Sequence, residues 1–117
     1  MQKRSFGSVT IFSIDEDRVR QAADEYAADL LLQHPEVEEI VVFGSFEKGN
    51  YAPGSDLDVF ILLSASDKPR RERVGDFMPT GFPIPLDIFP LTRDEVAALG
   101  SSRMLGEIQA SRWRYQR

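Results

Sequence analysis

Residues 40–63 read IVVFGSFEKGNYAPGSDLDVFILL, two apolar runs joined by a polar loop, and the carboxylates at the junction govern how the rest of the chain is read. Both runs are rich in β-branched and aromatic residues, which predicts strands over Glu38–Phe43 and Asp56–Leu63. Gly44-Ser45 makes a tight exit from the first strand. GNYAPGS, residues 49–55, has the glycine and proline density of a loop, and Pro53 biases Ala52 towards extended backbone. Asp56 and Asp58 stand at the head of the second strand. Side chains two apart share a face, so the two carboxylates converge while Leu57 and Val59 pack behind them. Ionised groups persist among such neighbours only when paired or bound to a cation. A third carboxylate, Asp87, sits in a separate apolar run, PLDIFPL over residues 85–91, which predicts a third core strand over about Leu86–Phe89. Placed beside the second strand, Asp87 completes a triad of hard oxygen donors suited to magnesium and nucleotide phosphates.

Outside this centre the pattern is mostly helical. Val19, Ala22, Ala23, Tyr26, Ala27, Leu30 and Leu31 recur at intervals of three and four, which predicts one long helix from about Asp15 to Gln33, stopped by Pro35. Ser13 and Glu16 have the spacing of a capping box at its start, and Ser8–Phe12 reads as a short edge strand before it. Residues 64–73 are polar and charged and read as a loop with one helical turn. Thr92 and Glu95 suggest a second capping box for a short helix through Leu99, and Ser102–Arg112 reads as a final amphipathic helix. The expected order is β-α-β-β-β-α-α, with no internal repeat and no interdomain linker.

With 117 residues the chain is expected to form one domain, with little room for a module that binds a large acceptor. Charged residues make up 28% of it and no apolar run approaches the roughly 18 residues of a membrane span, so a globular protein in the cytoplasm is expected. The short basic start, MQKRSFGSV, lacks the apolar core of a signal peptide. Without cysteine there is no thiolate chemistry, and His34 alone cannot build a histidine-rich zinc site. A formal charge of −5 argues against a surface that coats nucleic acid, and no stable nucleic-acid partner is expected.

Gly44-Ser45, ten residues, Asp56-Leu57-Asp58, and later Leu86-Asp87-Ile88 together resemble the nucleotidyltransferase superfamily related to DNA polymerase beta. Within it, the chain length and the pattern GSF…GSDLDVFIL are most similar to the minimal nucleotidyltransferases, the antitoxin partners of HEPN-domain toxins. The likeness runs from about Glu38 to Pro90 within a single domain spanning residues 1–117. It implies an α+β fold, a small mixed sheet packed against helices in the two-layer polymerase-beta-like arrangement. It also implies that Asp56 and Asp58 hold two magnesium ions, with Asp87 as a further ligand or as the base for the acceptor hydroxyl. ATP would be the substrate, pyrophosphate the leaving group, and a tyrosine of a HEPN-family ribonuclease toxin the acceptor of AMP. Two alternatives stay open: transfer to a small-molecule hydroxyl such as that of an aminoglycoside, which a homodimer would help by building a pocket, and an antitoxin that acts by binding alone.

Several side chains are candidates around that centre. Gly44 lets a nucleotide approach the backbone, and Ser45 offers a hydroxyl and an N–H to phosphate oxygens. A short helix beginning near Phe46 would add its first N–H groups. Lys48 is a candidate phosphate contact or a solvated charge. Arg70, Arg71 and Arg73 are candidates to steady the triphosphate or dock the acceptor. Tyr51 reads either as a base-stacking ring or as an anchor for its loop. Trp113 and Tyr115, set among arginines, read either as a partner surface or as packing for the last helix.

Overall fold

The computed structural model describes residues 2–6, 9–13, 15–52 and 54–117. Ser8 and Pro53, which belong to the expected edge strand and loop, lie outside them. The elements in chain order begin with strands β1 (Gln2–Phe6) and β2 (Val9–Ser13), then helix α1 (Glu16–Gln33) and strand β3 (Val37–Phe43). A single helical turn, α2 (Ser45–Lys48), precedes β4 (Leu57–Leu63) and α3 (Arg70–Phe77). The chain continues through β5 (Leu86–Thr92), α4 (Arg93–Leu99), α5 (Arg103–Ala110) and β6 (Trp113–Gln116).

The principal sheet is mixed, in the order β5-β4-β3-β6. β3 runs antiparallel to both β4 and β6, whereas β4 and β5 are parallel. Of the residues expected as an edge strand, 9–12 do not join this sheet. β2 pairs with β1 in a separate antiparallel two-stranded sheet.

The central strands are apolar almost end to end because both faces of the sheet are covered. On one face α1 buries Val19, Ala23, Tyr26, Ala27 and Leu30 against Ile40, Val42, Val59 and Ile61. On the other, Leu105 and Ile108 of α5 pack with Val41, Phe43, Phe60 and Leu91. The small mixed sheet packed on helices is thus the expected α+β architecture, with a second helical cover supplied by the C-terminal segment.

Local signals were strong where they rested on neighbouring residues. Thr92 and Glu95 form the capping box, with each side chain accepting from the other's backbone N–H. At α1 the cap is Asp15, which accepts from the Arg18 N–H at 3.2 Å, and Ser13 belongs to β2. The polar stretch 64–73, expected as a loop with one helical turn, leads into the two-turn helix α3, whose apolar anchor Phe77 and whose Arg73 are both buried. Arg73 donates to both carboxylate oxygens of Glu95, at 2.6 and 3.2 Å, and to the carbonyls of Pro90 and Lys68.

The last helix ends at Ala110, and the chain then adds β6 to the free edge of β3. Ser111 makes the turn. Its hydroxyl donates to the Val42 carbonyl at 2.6 Å and accepts from the Trp113 N–H. Trp113 is consequently buried against the core, with Arg20 over its ring at 4.1 Å and its indole N–H donating to the Tyr115 hydroxyl. Tyr115 in turn bonds to Asp24 of α1. These two aromatics are packing residues, and no exposed Trp113/Tyr115 platform exists. No helix among the described residues is long and apolar enough to cross a membrane.

Candidate active site

β3 ends at Phe43, and Gly44 turns the chain into α2 with φ 82° and ψ −154°. A side chain is disfavoured at that angle and has no room: a Cβ on Gly44 would run into the Asp58 carboxylate, with Cγ at 3.2 Å. Gly44 is therefore small because a carboxylate lies against it. Ser45 opens α2, and Gly49 ends it in the left-handed conformation with φ 78°.

The loop returns so that Asp56 immediately precedes β4 and Asp58 lies within it. Asp58 stands opposite Phe43 in the β3–β4 register and opposite Asp87 in the β4–β5 register. β4 alternates, so Leu57, Val59 and Ile61 point to the α1 side and are fully buried, while Phe60 faces α5. Asp58 shares the Phe60 side, half-buried beyond the edge of that second apolar cluster, and Asp56 and Asp87 are exposed.

The electrostatics of this arrangement are unfavourable for the chain alone. Burial pushes the Asp58 carboxyl above the usual carboxylate range, and the negative charges of Asp87, Asp56 and Glu107 push it further in the same direction. Among the described residues, no three His, Cys, Asp or Glu side chains are grouped closely enough to hold a metal ion. Magnesium commonly takes only one or two protein carboxylates and completes its octahedron with water and substrate phosphate oxygens. The all-oxygen donor set and the mutual repulsion around Asp58 fit a divalent cation shared with a nucleotide.

A model of the nucleotidyltransferase domain family matches residues 24–88, from the middle of α1 into the start of β5. The chain belongs to the nucleotidyltransferase domain family. The match takes in Gly44, Ser45, Asp56, Asp58 and Asp87. This nucleotidyltransferase domain also resembles solved structures. One is a protein from Sulfolobus solfataricus classed as a nucleotidyltransferase, at 19% identity and a TM-score of 0.57, covering 86% of this chain and 80% of that one. A weaker likeness, TM-score 0.45 at 17% identity, is to a chain of a toxin–antitoxin crystallised with AMP-PNP, covering 88% of this chain and 72% of that one. The first of these shows a shared fold. No curated protein matches the sequence.

The remaining candidates divide. Lys48 of the nucleotidyltransferase domain is not free: its ammonium donates to Glu107 of α5 at 2.7 Å. Glu107 also acts on Asp58 through its charge, a fourth carboxylate that nothing in the sequence marks, because only the packing of α5 on the sheet brings it there. Tyr51 is an anchor for its loop. Its ring stacks on Phe46 with centroids 4.1 Å apart and planes 4° from parallel, and its hydroxyl bonds to Glu16, which holds the phenol up at about 12.

The arginines expected to face a ligand mostly do not. Arg73 is consumed by Glu95 and two carbonyls because it is the buried tie between α3 and β5, and Arg70 lies 3.5 Å from the same Glu95. Arg71 is exposed beside an apolar groove of about 300 Å³ along β5. His34 caps the end of α1, edge-on to Phe77.

Proposed function

We propose that this nucleotidyltransferase domain transfers AMP from ATP, with magnesium, to a tyrosine hydroxyl of a cognate HEPN-family ribonuclease toxin and so acts as its antitoxin. The observation that carries the nucleotidyl-transfer chemistry is the register pairing of Asp58 with Asp87, next to Asp56 and to a glycine turn whose backbone lies against the Asp58 carboxylate. The acceptor, the adenine and the toxin rest on the resemblance of the motifs from Gly44 to Ile88 to the minimal nucleotidyltransferases.

In this reading Asp56 and Asp58, with Asp87, would hold the metal. Magnesium, when bound, neutralises triphosphate oxygens and lowers the pKa of the attacking hydroxyl. Asp87 accepts the hydroxyl proton as the acceptor oxygen bonds to the α-phosphorus. The bond from that phosphorus to the bridging oxygen breaks, and pyrophosphate leaves with the electron pair. Ser45 orients phosphate oxygens through its hydroxyl and N–H, and the bare Gly44 lets them approach.

The test is the intact mass of a HEPN-type toxin incubated with this chain, ATP and magnesium. A gain of about 329 Da, or its multiples, that disappears with Asp56→Asn is the expected result of metal-assisted AMP transfer. An unchanged mass in a tightly bound complex would overturn the transfer and favour inhibition by binding.

A further inference from the structure

The Lys48–Glu107 pair joins α5, across 59 residues of sequence, to α2, the turn whose capping Gly44 lies against the Asp58 carboxylate. Three observations define what it does. The Lys48 ammonium sits on Glu107 Oε1 at 2.7 Å, so the cation expected to meet phosphate already has an anionic partner. The Lys48 side chain keeps 46% of its exposure and Glu107 27%, so the pair lies where a ligand reaches it and is held weakly enough to exchange. Glu107 also acts on Asp58, whose carboxyl feels its charge alongside those of Asp87 and Asp56. One carboxylate therefore neutralises the local cation and adds to the local negative charge. Lys48 and Arg103 are the positive groups that act on Glu107.

We infer that Glu107 is a positioning residue that occupies Lys48 in the nucleotide-free protein, is exchanged for triphosphate oxygens on binding, and thereby makes the site select nucleotide that carries its metal. This rests on the reading that the site takes a nucleoside triphosphate. The physical argument is a balance of charge. If a bare triphosphate draws Lys48 away, the Glu107 charge that acts on Asp58 is left unpaired, and the incoming phosphates add to uncompensated anions. A triphosphate accompanied by a divalent cation brings the missing positive charge with it. Glu107 thus stands in for phosphate until the complete substrate arrives.

The experiment measures the affinity of ATP, in EDTA and in magnesium, for the wild type, Glu107→Gln, Lys48→Met and the double variant, each confirmed as folded by its melting curve. Glu107→Gln is expected to tighten metal-free ATP by about threefold or more, the scale of one exposed ion pair, and magnesium–ATP by less. In the Lys48→Met background the same change is expected to lose most of that gain, which a purely structural role for Glu107 would not produce. Equal tightening in both backgrounds, or none in either, overturns the inference while leaving the nucleotide site intact. A wild type that binds ATP in neither condition overturns the triphosphate reading and the inference with it.

Discussion

Asp58 and Asp87 face each other across the parallel β4–β5 pair, two carboxylates in direct register where cross-strand neighbours of like charge repel. Nothing in the folding of the sheet asks for this pairing. The repulsion is a property of the site, tolerated because the surrounding core, with Leu57, Val59 and Ile61 behind Asp58, holds the strand in place.

Asp58→Asn is therefore expected to separate stability from activity. Nucleotidyl transfer, followed as pyrophosphate release, should fall by orders of magnitude, on the order of a thousandfold for loss of a charge that stabilises the transition state. The metal-free variant should melt no lower than the wild type, since the amide removes repulsion. A variant that melts much lower would mean that Asp58 is paired in the folded chain.

The same carboxyl gives a pH signature. Its pKa is raised on folding, so the folded state holds its proton more tightly than the unfolded one. In EDTA the Asp58 contribution should then disfavour folding above its folded pKa and be relieved as pH falls through that value. Melting temperature against pH, compared between wild type and Asp58→Asn, isolates the contribution of this carboxyl, and magnesium with nucleotide should flatten the difference.

Glu95 supplies the opposite sign. Arg73, with the Thr92 N–H, holds its carboxyl down at about 2. Its stabilisation should be full above the ordinary carboxylate range and be lost as pH falls from there towards about 2. Arg73→Met removes a donor from Glu95 and from the Pro90 carbonyl and should cost roughly 2–4 kcal/mol in urea denaturation, as breaking a largely buried pair does. A cost within experimental error would show that α3 is held to β5 by its apolar residues alone.

Gly44→Ala should damage both fold and site. The left-handed turn and the close approach to Asp58 together predict about 1–3 kcal/mol lost. Displacement of the Asp58 carboxylate should also weaken magnesium–ATP binding, read by calorimetry. Wild-type affinity in a stable variant would remove Gly44 from the site.

Ser111→Ala tests the docking of the last strand. Its hydroxyl serves both the Val42 carbonyl and the Trp113 N–H in a buried turn, so losing it should cost about 1–3 kcal/mol. Tryptophan fluorescence should report the looser seat of Trp113.

The sequence by itself determined the sheet's core, the long helix α1 and the Thr92–Glu95 cap, because each is written in periodicity or capping among near neighbours, and its motifs around the three aspartates carried the resemblance to nucleotidyltransferases that the family match bears out. It spoke for Asp56 and Asp58 in particular because strand alternation alone puts them on one face. Only the tertiary structure decided that residues 9–13 leave the main sheet, that the tail returns as β6 to close the edge of β3, and that Trp113 is core. The same holds for Arg73, which looked like a ligand cation and serves as a buried tie, and for Lys48, which is matched to Glu107. Each of these depends on which partner a strand edge or a charge meets across a long separation in the chain, and that choice is made by burial and pairing in the assembled fold, where no local pattern reaches.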